Sequence, residues 1–448
     1  MEETVVDTPY DVAIVGASLA GCATATFLGR AGKRVALLGR HADPGAYKHL
    51  CTTLIQASAE PAIQRLGLDG AMARAGGLRP STAVWTRWGW ITDADGARGF
   101  TIRREKLDPM IRELAASTPG VDFLPGHTLK SVLKEHGRVV GVGAETAEGV
   151  CREVRADLVV GADGRSSETA AQAGVKARIV KRHGRSGYFA FFRNVEVPHP
   201  GSAHLWFLEP DCAYAFPMDN GLSILAMMFP RAKASAFKKD VQGNFLRFFE
   251  SIPQRIGGYA RFDPADQVGK VIGLVDYENT WRHRPPPGLA FVGDAAVSGD
   301  PLFGVGCGWA LQEAEWLADA IAPALGDARA QDRAVGAYGA TLRRKLAAHF
   351  FLVSDYSTGR AYNPIEKLTF SAGARDAQAA HLVSEFGSRR IPVRELMTPA
   401  ALAHAVKVNL TAGQAARATA QGNRAALQER NSSFTFTATG SPVTSVVR

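Results

Sequence analysis

Cysteine is scarce in this chain: five residues, at positions 22, 51, 151, 212 and 307, an odd number without a C-x-x-C pair. That spacing argues against a disulfide framework and supplies no zinc-ligand set, so no metal is expected and a reduced compartment fits. Long apolar runs are also missing; none reaches about 18 residues, which excludes an integral membrane span. The acidic opening MEETVVDTPY leads straight into an apolar strand without a signal pattern, so the expected location is cytoplasmic. A basic stripe is lacking too, although the net charge is +9. The cations occur as scattered pairs such as Lys238-Lys239, Arg343-Arg344 and Arg389-Arg390, which are expected to be solvated faces rather than a nucleic-acid surface.

What is present is an ordinary globular composition in 448 residues, too many for one small core. The periodicity predicts an α/β fold: a doubly wound, Rossmann-like nucleotide-binding domain, an inserted and mainly antiparallel β-sheet domain, and a helical C-terminal region. The first domain is expected over 8–80, 97–178 and 285–325, and the sheet domain over 81–96 and 179–284. Helices are expected over 326–430, then a mobile Ser/Thr-rich tail over 431–448. The aromatic strands YFAFF (188–192), HLWFL (204–208), YAFPM (214–218) and LSILAMM (222–228) mark the insert, and Asn220-Gly221 predicts a tight hairpin.

Three glycine motifs carry the chemistry. The first, Gly16-Ala17-Ser18-Leu19-Ala20-Gly21, lies between the strand DVAIV and a long helix, where backbone must approach a pyrophosphate closely. Its second strand ends on Gly39-Arg40, so the carboxylate that would hold a ribose is absent and Arg40 becomes a candidate phosphate or adenine contact. The second motif is LVVGADGRSS (158–167), a buried strand running into an Asp163-Gly164 turn. The third is Gly293-Asp294-Ala295-Ala296, followed by Pro301, Gly304, Val305 and Gly306 at a helix start.

Together with Arg104-x-x-Leu107-Asp108, the order of these motifs resembles the FAD-dependent monooxygenases of the aromatic-hydroxylase type, related to flavin halogenases and geranylgeranyl-type reductases. The resemblance covers about residues 8–325. It implies FAD held by Gly16, Ser18, Leu19, Ala20, Gly21, Arg40, Arg104, Asp163, Gly293, Asp294, Pro301, Gly304, Val305 and Gly306. Asp163 would lie near the pyrophosphate, Asp294 would hold the ribitol, and NAD(P)H would be a transient co-substrate, since only one dinucleotide turn exists. The implied reaction passes one oxygen atom from a flavin C4a-hydroperoxide to a hydrophobic, polycyclic or otherwise electron-rich small molecule.

Several positions depart from the family's best-known branches. Val297 and Gly308 stand where hydroxylases often have histidine and asparagine. The halogenase Trp-x-Trp-x-Ile-Pro signature is absent, and Lys48-His49-Leu50-Cys51 is similar to the reductases' Lys-Pro-Cys string without its proline. A reductase of isoprenoid double bonds, a flavin-requiring cyclase and a halogenase relative therefore remain as alternatives, beside a flavin-free NADP-binding protein. Trp206, Tyr214, Phe216 and Met227 are the expected substrate wall, with no catalytic side chain assigned. Cys51 and Cys307 read as small packed residues, and the oligomeric state is left open.

Overall fold

The computed structural model describes residues 9–412 apart from 178, 276, 277 and 283. The expected tail over 431–448 lies outside the described residues, as does the end of the expected helical region.

Five strands form a parallel core in the order Val121–Pro125, Val35–Gly39, Tyr10–Val15, Cys151–Gly161 and Leu289–Phe291. Tyr10–Val15 and Val35–Gly39 are nearly unbroken apolar runs because both faces of these strands are buried. Cys151–Gly161 serves two partners: its first half pairs antiparallel with Arg138–Glu145, and its second half runs parallel to Tyr10–Val15. All three glycine motifs begin at the C-terminal ends of adjacent central strands, the edge where open α/β sheets bind ligands. Helices Leu19–Arg30 and Val305–Ile321 pack side by side behind them.

A second sheet has seven strands, with Gln267–Leu274, Arg185–Phe192, Ser223–Pro230, Cys212–Pro217, Ala203–Phe207, Thr82–Thr86 and Gly89–Thr92 as neighbours in that order. The Cys212–Pro217 and Ser223–Pro230 hairpin turns through Asn220 at φ 59° and Gly221 at φ 66°, the left-handed pair that Asn-Gly favours. Its two faces bury separate clusters. One packs against helix Val241–Glu250; the other meets the turn Pro301–Phe303 and the C-terminal aromatics Tyr356 and Tyr362.

The C-terminal region is helical, as expected, through Ala328–Tyr356, Pro364–Gly373, Ala377–Gly387 and Pro399–Thr411. Residues 49–78 hold the short helices Glu60–Leu66 and Asp69–Arg74 and the strand Leu54–Ile55, which pairs with Phe100–Thr101. Among the described residues no helix is long and apolar enough to cross a membrane, and no cluster of potential metal ligands occurs.

Candidate cofactor and substrate site

The three turns touch one another, and glycine is what lets them. Gly16 has φ 114°, and a Cβ there would lie 2.5 Å from the carbonyl oxygen of Ala162, the residue before Asp163. Gly293, at φ 65°, would place a Cβ 2.7 Å from that of Ala20. The first motif thus seats against the second through Gly16 and against the third through Ala20.

Two helix N-termini open where these turns meet. Leu19–Arg30 starts at Ser18 and Val305–Ile321 at Gly304; neither receives a side-chain cap, and neither has an acid in its first turn. Unclaimed first-turn N–H groups and the positive end of the helix suit an anion or a flavin ring that gains negative charge.

A polar network crosses the same region. Arg104 Nη2 donates to Ser18 Oγ at 2.9 Å, and its Nε donates to Asp108 Oδ1 at 2.6 Å. Asp108 Oδ2 accepts from the Lys48 backbone N–H at 2.9 Å, while Lys48 Nζ reaches Asp294 Oδ2 at 3.0 Å. Burial opposes ionisation of Asp294, but the charges of Lys48, Arg165 and Arg104 outweigh it and hold the carboxyl below its usual range. The sulfurs of Cys51 and Cys307 lie 3.6 Å apart beside Arg104. A hydrogen bond from Cys307, opposed by burial and helped by Arg104 and Lys48, lowers the Cys51 thiol; the same bond together with burial raises Cys307.

These groups fit FAD: uncapped helix starts for its pyrophosphate and ring, and an ionised carboxylate at a strand tip for its ribityl hydroxyls. Gly306 lies close to that carboxylate, where a Cβ would be 3.8 Å from Asp294 Oδ1. Leu19, Ala20, Gly21, Pro301 and Val305 lie on the two turn-to-helix segments that form the cradle.

Asp163 and Arg40 each have protein partners of their own. The carboxylate of Asp163 accepts from Ser167 Oγ at 2.6 Å and from both the N–H and Oγ1 of Thr169 at 2.8 Å. It therefore braces the start of helix Glu168–Ala173 and shapes the turn beside Gly16. Arg40 is exposed and donates to His41 Nε2 at 3.0 Å, outside the Arg104–Asp294 network.

The expected substrate wall splits between the sheet's two faces. Tyr214 and Phe216 stack on each other at 4.6 Å between ring centroids and face the turn Pro301–Phe303 and Tyr356. Trp206 and Met227 point the other way, into the cluster of Phe237, Phe245, Phe248 and Phe249 under helix Val241–Glu250. Trp206 and Met227 both pair with Ala213, the residue before Tyr214, so they share its face and are plain core.

Sequence reasoning missed Lys48, Asp300 and Glu313 as contributors. Asp300 Oδ2 pairs with His183 Nε2 at 2.7 Å, and Oδ1 accepts from the Leu302 N–H at 2.7 Å, fixing the Pro301–Phe303 turn. Glu313 accepts from the Gly293 N–H at 2.7 Å. The string containing Lys48 gave a signal; Asp300 and Glu313 gave none, because their partners are distant in sequence.

Residues 9–348 match the protein family described as FAD binding domain. Squalene epoxidase 2, mitochondrial, of Arabidopsis thaliana is 26% identical over 371 residues, covering 79% of this chain. The chain spans 61% of that relative's length. Kynurenine 3-monooxygenase of Salinispora tropica is 26% identical over 392 residues, covering 81% of this chain and 83% of that protein. A geranylgeranyl bacteriochlorophyll reductase-like structure from Thermoplasma acidophilum superposes with a TM-score of 0.68 at 18% identity, covering 87% and 98% of the two chains.

Proposed function

Because the chain belongs to the FAD binding domain family and is an FAD-dependent oxidoreductase of the monooxygenase superfamily, we propose that it uses NAD(P)H and O2 to hydroxylate or epoxidise a hydrophobic small molecule. When bound and reduced, FAD supplies the activation of oxygen. The protein's part is to bind, orient and exclude water. Asp294 holds the ribityl chain, Arg104 orders Ser18 at the pyrophosphate end, and the N-terminus of Val305–Ile321 stabilises charge on the reduced ring. NAD(P)H docks transiently, as a second dinucleotide turn is lacking in the sequence.

The observation that carries this reading is the apolar face of Phe207, Tyr214 and Phe216, set opposite Leu302 and Phe303 of the cofactor loop and closed by Tyr356 and Tyr362. Such a wall keeps water from a reactive oxygen species while leaving an apolar substrate beside the ring. The test is turnover under isotopically labelled O2 with NADPH, using a panel of apolar aromatics and alkenes. Label in the product, with substrate-stimulated oxygen uptake, is the expected result. A saturated product formed without oxygen would favour the reductase alternative, toward which the Lys48–Cys51 string beside Cys307 points.

A further inference from the structure

Among the described residues, the cofactor-side face of the second sheet holds a buried guanidinium that no carboxylate pairs by a salt bridge. Along Arg185–Phe192 the odd positions face the cofactor loop, with Phe189 in the cluster of Tyr214, Phe216 and Leu302. Arg185 shares that parity and is 1% exposed. Its guanidinium carbon sits 4.4 Å from the ring centroid of Tyr356; that tyrosine and the charge of Asp300 are its polar neighbours, and Nε, Nη1 and Nη2 make no well-aligned hydrogen bond and no salt bridge. Asp300, the neighbouring carboxylate, is taken up by His183 and the Leu302 N–H. Tyr362, stacked on Tyr356 at 5.7 Å, buries its hydroxyl beside that tyrosine without a well-aligned hydrogen bond.

The opposite face handles its arginine differently. There Arg255 Nη2 meets Asp211 Oδ2 at 3.0 Å. A buried guanidinium without a carboxylate is costly, and stacking on one tyrosine recovers only part of the lost hydration. Its fork of donors matches a planar oxyanion. Phe207, Phe303 and Phe370 surround the two tyrosines, so the rest of such a ligand would meet aromatic carbon.

We propose that Arg185, assisted by the Tyr362 hydroxyl, anchors a carboxylate on the substrate, which is therefore an apolar or aromatic acid rather than a neutral hydrocarbon. This rests on the reading that the Tyr214–Phe216 face is the substrate wall. The acid group lies at the Tyr356 end and the apolar body extends along the sheet toward Phe216.

The experiment is isothermal titration of FAD-loaded protein with phenylacetate, indole acetate and decanoate, each against its own amide. FAD content and melting temperature are recorded for wild type, Arg185→Met, Arg185→Lys and Tyr362→Phe. The wild type should bind at least one acid about 10-fold or more tighter than the matching amide, the range of a charge-assisted contact. Arg185→Met should lose that preference with FAD content intact and a melting temperature equal or higher, since it removes an unpaired buried charge. Arg185→Lys should keep part of the preference, and Tyr362→Phe should weaken it.

Equal binding of acids and amides, no acid binding across the panel, or a preference that survives Arg185→Met would overturn the anchor. So would a lowered melting temperature in Arg185→Met with discrimination unchanged, which marks a structural arginine. Protein without FAD would instead strike at the oxidoreductase reading, while the same acid-versus-amide titration of that protein still upholds or overturns the anchor by the criteria above.

Discussion

Lys48 Nζ stands 3.0 Å from Asp294 Oδ2, tying the loop after the second strand to the tip of Leu289–Phe291. The pair keeps a carboxylate ionised between two uncapped helix starts, where a hydroxyl-rich chain is expected to lie. Replacing it removes a charge-assisted hydrogen bond of roughly 1.5–3 kcal/mol, or about 10- to 100-fold in Kd. Asp294→Ala should therefore bind FAD more weakly by that factor in equilibrium dialysis. Wild-type affinity in the variant would remove Asp294 from the cofactor site.

Gly39 occupies the place of the missing ribose-binding acid, and the structure gives a packing reason. A Cβ there would stand 3.1 Å from both the Ala17 Cβ and the Phe123 ring. Restoring the acid with Gly39→Glu should thus cost about 1–3 kcal/mol of stability through overpacking. Chemical denaturation beside FAD titration checks this; a variant as stable as the parent would show that Ala17 and Phe123 yield freely.

Glu313 is fully buried, and burial, reinforced by the charge of Asp294 and opposed by the Gly293 N–H, pushes its carboxyl well above the usual range. A raised folded-state value means that its favourable contribution is complete below the unfolded value near about 4.3. It then declines as pH rises toward the folded one. Glu313→Gln keeps an acceptor for Gly293 without this titration. Melting temperatures between about pH 5 and 8 should fall more steeply for wild type than for the variant; parallel curves would mean that Glu313 is ionised when folded.

The two sheet faces predict opposite phenotypes. Phe216→Leu should alter the KM for substrate or the fraction of NADPH oxidation that yields product, with FAD content unchanged. Trp206→Phe should leave those kinetic constants at wild-type values and lower only stability, since Trp206 packs with Phe262 at 6.2 Å on the far face. Steady-state kinetics separates the two, and a kinetic defect in Trp206→Phe would contradict the assignment.

Local chemistry made much of this readable. Gly16 through Gly21, the DVAIV strand and Asn220-Gly221 each specify geometry within a few residues, so the nucleotide-binding turn and the hairpin could be recognised directly. Arg104, Asp294 and the glycines after Pro301 followed from motif order. What stayed hidden depends on contacts remote in sequence. The partition of Trp206 and Met227 from Tyr214 and Phe216 is a matter of strand register, which alternation alone leaves ambiguous by one residue. The approach of Cys51 to Cys307 and the pairing of Asp300 with His183 arise only when the cofactor loop folds against other segments. Asp163 was legible as a turn residue, but its capping of Thr169 depended on the helix that follows.

The Gly16, Gly293 and Gly304 segments should enclose one flavin together with Asp294 and Arg104. Purified protein saturated with FAD, freed of excess, denatured and analysed chromatographically should release one FAD per chain. Asp294→Ala and Arg104→Ala, verified as folded by circular dichroism, should each release far less. Colourless wild-type protein that takes up no FAD, or full retention in both variants, would contradict the account.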